Sequence, residues 1–202
     1  MKSAFDDYFK KDAAVIENAL KSIDSESLER LIEESEAALR AGHKIVASGL
    51  GKNVPVCDKF VGTMLSMGLN ANFMHTNSAV HGDLGMVRPG DLVIILTKSG
   101  ATAESVYLYD LLKKREGVNI WLLSFKERSV LADQIQKKII INLEEEGDMW
   151  NVIPNNSTIL NLIVLQKVAI ELSRRMGLSL EKDFKPNHPG GAIGAMLSHE
   201  IS

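Results

Sequence analysis

Short, nearly unbroken apolar runs separated by amphipathic stretches constrain the fold of this chain more than any other feature. The runs "LVIIL" (92–96) and "IWLL" (120–123) fit strands that are buried on both faces of a sheet. Strands that alternate with helices in this way predict a parallel sheet covered by helices on both sides. We therefore predict a single three-layer α/β/α domain. Its five strands are predicted at residues 44–51, 70–75, 91–96, 118–124 and 137–143.

Helices are predicted around and between these strands. Residues 4–41 predict two amphipathic helices, the second capped by Asp24 and ended by Gly42. We assign residues 1–42 to an N-terminal helical arm and residues 43–202 to the globular unit. Further helices are predicted at 55–68, 101–115, 129–134 and 156–177.

Two segments predict neither helix nor strand. The loop 75–91 has little helical or strand character, and the prolines and glycines of "FKPNHPGGAIG" (184–194) predict an ordered loop that cannot be helical.

Composition narrows the class of protein. The single cysteine, Cys57, excludes an internal disulfide and a zinc site built from cysteines. The net charge of −3 gives no basic surface for nucleic acid or an anionic membrane. The N-terminus lacks the apolar core of a signal peptide, and the most apolar segment (159–172) is too short to span a bilayer. We predict a cytoplasmic protein without nucleic-acid or membrane partners.

The third strand ends abruptly in "TKSGATAE" (97–104), a turn rich in hydroxyl groups that leads into a helix. Ligands bind beyond the carboxyl ends of parallel strands, and the free N–H groups of a helix N-terminus attract anions. Thr97, Ser99 and Thr102 add hydroxyl donors, and Gly100 lets the backbone approach a ligand closely. This pattern predicts a site for a phosphate monoester. The alternative is that Ser99 and Thr102 only cap the helix.

Two nucleotide motifs are excluded by their spacing. Gly51 and Lys52 are followed by Asn53, where a Walker A motif needs Ser or Thr. A dinucleotide fingerprint needs a third glycine at the position of Val54. No nicotinamide, flavin or pyridoxal site is visible in the sequence, so we expect none of these cofactors.

Five polar residues outside the predicted strands are candidates for chemistry. Glu104 is either a general base close to the bound phosphate or a carboxylate that complements the helix dipole. Lys52 either faces a ligand or is solvated, and His81, Asp83 and His188 are weak candidates in polar loops. No pair has the helical spacing of metal ligands, so we expect no structural metal.

Four motifs together resemble the SIS (sugar isomerase) domain over residues 40–197. Within this family they are similar to the D-arabinose 5-phosphate isomerases of the Kdo pathway and of capsule clusters. The hydroxyl loop is common to SIS domains, whereas "HGDLGMV" and "HPGGAIG" are more specific to this branch. The motifs, in chain order, are "GLGKN", "HGDLGMVRPGDLVIILTKSGATAE", "IPNNSTILNL" and "NHPGGAIG".

The resemblance implies a flavodoxin-like sheet and an aldose–ketose isomerase that acts through an enediol without a cofactor. It also implies a homotetramer with active sites at subunit interfaces, to which a neighbouring chain contributes histidines. The implied catalytic positions are Lys52, His81, Glu104 and His188. The implied phosphate positions are Thr97, Ser99, Gly100 and Thr102, and further substrate contacts are expected at Gly51, Asn53, Asp83, Lys98 and Ser157.

Several departures from the branch leave the sugar open. Related isomerases carry two CBS domains after the SIS domain, and we expect none here. Asn53 stands where the branch has serine, Lys98 where asparagine is common, and Ala101 where glutamate is frequent. The alternatives are therefore an isomerase for a hexulose or heptulose phosphate, or a regulator that binds a sugar phosphate without turning it over.

Overall fold

The five predicted strands form one parallel sheet. The computed structural model of the protein describes residues 4–199. Its strands are β1 (Ile45–Gly49), β2 (Ala71–His75), β3 (Leu92–Thr97), β4 (Asn119–Ser124) and β5 (Lys138–Ile140). Their order is β2-β1-β3-β4-β5, which is the flavodoxin-like order that the family resemblance implies. The predicted fold class is confirmed.

Helices cover both faces of this sheet. The α-helices of the described residues are α1 (Ala4–Lys21), α2 (Ser25–Arg40), α3 (Asn53–Ser66), α4 (Ala103–Leu112), α5 (Val130–Gln134), α6 (Asn156–Arg175) and α7 (Gly191–His199). One face of the sheet packs against α1, α2, α3 and α6, and the other packs against α4, α5 and the loop before β3.

The position of β3 at the centre of the sheet explains why its sequence is almost wholly apolar. All six residues of β3 are buried. Leu92, Ile94 and Leu96 contribute to the core on the α3 and α6 side, while Val93 and Ile95 contribute to the core on the α4 side. Successive side chains of a strand point to opposite faces, so a central strand of a three-layer domain needs apolar residues at every position.

The two N-terminal helices pack on their own chain. Ala19 of α1 and Leu31 of α2 are buried in the same core as α6. The Asp24 carboxylate accepts a hydrogen bond from the Ser27 N–H at 2.9 Å, which confirms the N-cap. Gly42 follows the last turn of α2 with φ +81°, as expected for a residue that ends a helix.

The prediction that residues 184–194 form a loop is wrong in part. One π turn (Leu180–Phe184) and one 3₁₀ turn (Lys185–Asn187) precede α7, which begins at Gly191. Pro186 and Pro189 lie before α7, so they do not interrupt its hydrogen bonds. Gly194 lies inside α7. A Cβ at this position would come within 2.7 Å of the His188 carbonyl oxygen, so the close approach requires glycine. This glycine therefore serves close packing and does not break the helix.

Two smaller differences concern the loop before β3 and the edge strand. The loop contains two 3₁₀ turns, Ser78–His81 and Asp83–Met86, which are joined by Gly82 at φ +121°. β5 has three residues, fewer than predicted, and it pairs only with β4.

Between residues 4 and 199, no helix combines the length and the apolar character needed to cross a bilayer.

Candidate active site

A cavity of about 540 Å³ lies at the carboxyl edge of the sheet, between the turns that follow β1 and β3. β1 and β3 are neighbours at the point where the strand order reverses, which is where open parallel sheets bind ligands. Eight residues that the sequence singled out line the cavity: Gly51, Lys52, Asn53, Thr97, Lys98, Ser99, Thr102 and Ser157.

The turn after β1 brings Lys52 and Asn53 to the cavity. A Cβ at Gly49 would lie 2.9 Å from the Asn53 Cβ and 3.0 Å from the Cys57 Sγ, so only glycine lets β1 run this closely into α3. Lys52 occupies the N-cap position of α3. The Asn53 Oδ1 accepts a hydrogen bond from the Asn161 Nδ2 at 2.9 Å, which links α3 to α6 across the cavity floor.

Three hydroxyl groups cluster in the turn after β3. The Thr97 and Ser99 side-chain oxygens each lie 3.3 Å from the Thr102 Oγ1. Thr102 is the N-cap residue of α4, yet its side chain makes no capping hydrogen bond. The backbone N–H groups at the start of α4 therefore remain available to an anion.

Gly100 shapes this turn without lining the cavity. It has φ +63°, a conformation that favours glycine. A Cβ there would collide with the Ser129 Oγ and lie 2.8 Å from the Ser129 Cβ. Its carbonyl oxygen accepts a hydrogen bond from the Leu131 N–H at 2.9 Å, which ties the turn to α5.

The cavity carries positive charge. Among its described lining residues are Lys52, Lys98 and Lys126, and none of the lining side chains is acidic. Behind the wall, the Lys98 Nζ lies 2.5 Å from a carboxylate oxygen of buried Glu146. Burial raises the pKa of Glu146, but Lys98 and the hydrogen bonds from Ser157 and Asn155 more than offset this and hold the pKa below its ordinary value.

Glu104 and His81 lie together in a second, smaller cavity of about 280 Å³. Thr102 and Ser105 line the larger cavity, whereas Glu104 and Tyr107 line the smaller one, so the two cavities flank the first turns of α4. The fold therefore brings the predicted base and one predicted histidine together, but within one chain it does not place them in the hydroxyl-lined cavity.

Neither His188 nor Asp83 lines either cavity. The His188 ring stacks on Phe184 with the ring centroids 3.9 Å apart, and its Nδ1 lies 2.8 Å from the Phe184 carbonyl oxygen. Asp83 is exposed at the start of the second 3₁₀ turn. Over residues 4–199, no three His, Cys, Asp or Glu side chains are grouped so that they could hold a metal ion.

The comparison with known families agrees with this geometry. A model of the SIS domain matches residues 38–170. The chain belongs to the SIS domain family. Its relatives include arabinose 5-phosphate isomerases KdsD of Yersinia pestis, 34% identical over 83% of this chain, and of Pseudomonas aeruginosa, 34% identical over 82%. The chain spans about half the length of each of these two relatives (50%).

A solved structure is also similar over most of the chain. A protein of E. coli CFT073 in complex with arabinose 5-phosphate superimposes with a TM-score of 0.82 and 30% sequence identity. The match covers 90% of this chain and 94% of that chain.

Several residues at the cavity of this SIS domain were not predicted from its sequence. They are Ser105, Lys126, Pro154, Thr158 and Asn161 on its walls and Glu146 behind them. Asn161 had a detectable signal, because it interrupts the most apolar segment of the chain. Among the described residues, the buried Ser105 Oγ and Asn161 Oδ1 have no hydrogen-bond partner. Such oxygens suit a polar ligand.

Proposed function

We propose that this SIS domain is an aldose–ketose isomerase that interconverts D-arabinose 5-phosphate and D-ribulose 5-phosphate. The observation that carries the proposal is the lysine-rich cavity whose hydroxyl groups surround the uncapped N-terminus of α4. The similarity to arabinose 5-phosphate isomerases and to a protein in complex with arabinose 5-phosphate supports the choice of sugar.

The phosphate is anchored at the hydroxyl turn. The Thr97 and Ser99 hydroxyls each lie within hydrogen-bonding distance of the Thr102 hydroxyl, and the α4 N-terminus adds backbone donors. A cavity of about 540 Å³ lies in the size range of small-molecule sites. Binding energy from the phosphate then holds the reacting carbons in position, although the phosphate itself does not react.

Proton transfer between C1 and C2 converts the aldose to the ketose. In the proposed mechanism, Glu104 removes the proton from C2 of the open-chain aldose and returns it to C1 of the enediol. Lys52 stabilises negative charge on the enediolate oxygen. His188 assists ring opening or proton movement between the two oxygens, and His81 orients the sugar. Every proton removed is returned, so no redox cofactor is consumed.

The separation of these groups in one chain supports a site that is completed between subunits. Glu104 and His81 line the smaller cavity and His188 lines neither cavity, so a second copy would have to supply the missing groups. Apolar side chains are exposed next to Pro154 on the cavity wall, as expected of an interface. They are Met149, Trp150, Val152 and Ile153, of which Met149 is 85% exposed. We propose a homotetramer with active sites at its interfaces.

Proton NMR in heavy water tests the function directly. With D-arabinose 5-phosphate as substrate, we expect ribulose 5-phosphate to form, with deuterium at C1 in the fraction of turnovers in which the proton held by Glu104 exchanges with solvent before it is returned. Turnover only of a hexose or heptose phosphate would keep the mechanism and replace the substrate. Binding of sugar phosphates without any turnover would replace the proposal with a sugar-phosphate sensor. Light scattering of the same sample tests the tetramer.

A further inference from the structure

Glu146 is a buried carboxylate in an otherwise solvated acidic segment. Its side chain is 1% exposed, whereas its neighbour Glu145 is 29% exposed. The Glu146 Oε2 accepts hydrogen bonds from the backbone N–H groups of Asn155 at 3.0 Å and Ser157 at 2.9 Å. Burying a carboxylate costs free energy unless hydrogen bonds and an opposite charge compensate it, so the burial of Glu146 depends on these contacts.

The two backbone hydrogen bonds hold the beginning of α6. Asn155 is the N-cap residue of α6, and its own side chain makes no capping hydrogen bond. Glu146 therefore acts as the cap from outside the helix, with its negative charge at the positive end of the dipole. This end of α6 forms one wall of the cavity through Ser157, Thr158 and Asn161.

Lys98 contacts the same carboxylate from the opposite wall. It is the second residue of the hydroxyl turn, between Thr97 and Ser99. The Lys98 Nζ lies 2.5 Å from the Glu146 Oε1, and 42% of the lysine side chain is exposed. One ion pair therefore spans the two walls that hold the proposed phosphate and sugar.

Other charged groups near Glu146 are engaged elsewhere. Lys11 of α1 pairs with Glu145 at 2.8 Å, and the Asp148 carboxylate accepts backbone hydrogen bonds from Trp150, Val152 and Ile153. Tyr8 of α1 donates to the Gly147 carbonyl oxygen. Among the described residues, Asp12 of α1 also faces this segment, and Lys52 and Lys126 line the cavity walls.

We propose that Lys98 is a positioning residue and does not bind the phosphate: it keeps the Glu146 carboxylate ionised, and Glu146 holds α6 against the cavity. The inference rests on the proposed function for its effect on turnover, but not for its effect on Glu146. Burial would otherwise raise the pKa of Glu146, and the Lys98 ammonium makes the largest contribution among the groups that lower this pKa. Asparagine or methionine at position 98 could not replace that charge.

The test removes Lys98 and follows Glu146 itself. Glu146 is titrated by carbon-13 NMR of its carboxyl group, assigned with Glu146→Gln, in the wild type and in Lys98→Met. Loss of an adjacent opposite charge raises a carboxyl pKa by about 1–3 units, so we expect a shift of that size. Lys126→Met removes a lysine from the same cavity without touching Glu146, and its Glu146 titration should match the wild type. Lys98→Arg should restore most of the wild-type value.

Kinetics and ligand binding provide a second readout. In Lys98→Met we expect the acid limb of the kcat profile to move to higher pH, with inorganic phosphate binding within about threefold of wild type at pH 8. An unchanged Glu146 titration together with tenfold weaker phosphate binding would make Lys98 a phosphate ligand and overturn the proposal. If Lys98→Met does not fold, Lys98→Gln with the same titration decides. If the wild type turns over no sugar phosphate, the proposed function fails while the titration still decides the role of Lys98.

Discussion

Two shielded glutamates lie at opposite edges of the sheet, one at the amino ends and one at the carboxyl ends of the strands. Each forms an ion pair with a lysine. At the amino edge, the Glu34 Oε2 accepts hydrogen bonds from the Asn119 Nδ2 at 2.7 Å, the Trp121 Nε1 at 2.8 Å and the Lys137 Nζ at 2.9 Å. At the carboxyl edge, Glu146 accepts hydrogen bonds from two backbone N–H groups and pairs with Lys98. The local chemistry of the two carboxylates is closely similar.

The two regions differ in what surrounds the carboxylate. The partners of Glu34 are side chains that join α2 to β4 and to the start of β5, so the network stabilises the fold. The partners of Glu146 form cavity walls, and two buried oxygens on those walls, the Ser105 Oγ and Asn161 Oδ1, have no partner among the described residues. A fully satisfied polar network specifies structure, whereas an incompletely satisfied one is suited to a ligand. The Glu34 network therefore serves the stability of the fold, whereas the Glu146 network serves the cavity.

The largest expected effect comes from removing the proposed base at the carboxyl edge. Glu104→Gln keeps the shape of the side chain but cannot accept the proton from C2, so we expect kcat to fall by about 10²–10⁴-fold. Glu104 is exposed, so the variant should fold as the wild type does. The measurement is the heavy-water NMR assay at saturating substrate.

Glu34→Gln is the matched control at the amino edge. It should retain kcat per folded molecule, because the Glu34 network does not reach the cavity. Near-normal turnover of Glu104→Gln would remove Glu104 from the mechanism, and a large loss of kcat in Glu34→Gln would contradict the separation of the two edges.

Stability should show the reverse ranking of the same two variants. Burial raises the pKa of Glu34, but hydrogen bonds from Asn119, Lys137 and Trp121 outweigh it and lower the pKa from 4.5 to about 2. Because the folded-state pKa is depressed, the stabilisation is complete above about pH 4.5 and is lost as the pH falls through 2. Discounted for partial exposure, Glu34→Gln should lose roughly 2–3 kcal/mol at pH 7.

Denaturant unfolding at pH 7 and pH 3 measures this loss. The wild type should lose stability between the two values, and Glu34→Gln should lose less because the titrating group is gone. Equal pH dependence in both proteins would assign the acid sensitivity to other carboxylates.

The layers of the fold were predictable from sequence because they depend on periodicity. β3 shows this best: an apolar residue at every position is required of a strand covered on both faces, and Leu92 to Leu96 supply it. The C-terminal helix was missed for a physical reason as well. Gly194 weakens helix propensity, but packing against the His188 backbone demands glycine there, and tertiary contact outweighed propensity.

The site was only partly predictable. The hydroxyl turn was visible because Thr97, Ser99 and Thr102 interrupt an apolar pattern at a strand end. Glu146 gave no such signal, since it is one of three consecutive glutamates and only the fold decides which of them is buried. Local sequence could not indicate that Glu104 and Thr102 face different cavities across α4.

Two glycines extend the comparison of the edges to the backbone. Gly100 in the hydroxyl turn and Gly42 before β1 both have positive φ, +63° and +81°. A Cβ at Gly42 meets no atom within 4 Å, whereas one at Gly100 collides with Ser129. Gly42→Ala should therefore cost only the conformational strain, about 1 kcal/mol, and Gly100→Ala about 1–2 kcal/mol more.

Binding distinguishes these glycines further. Gly100→Ala displaces the hydroxyl turn, so inorganic phosphate should no longer raise its melting temperature, while Gly42→Ala should respond as the wild type does. Thermal melting with and without phosphate measures both effects. A phosphate response in Gly100→Ala equal to wild type would mean that the turn does not bind the anion.

The smallest expected effects compare two helix starts. The Asp24 carboxylate caps α2 through the Ser27 N–H, whereas the Thr102 side chain makes no capping bond to α4. Asp24→Ala should therefore lose about 1 kcal/mol of stability and leave phosphate binding unchanged. Thr102→Ala should lose less than about 0.5 kcal/mol and bind phosphate roughly threefold to tenfold more weakly, because one donor to the anion is gone. Chemical denaturation and isothermal titration with phosphate measure the two quantities. If Thr102→Ala loses as much stability as Asp24→Ala and binds phosphate normally, the hydroxyl serves the helix, and the anion site must be sought elsewhere along the cavity.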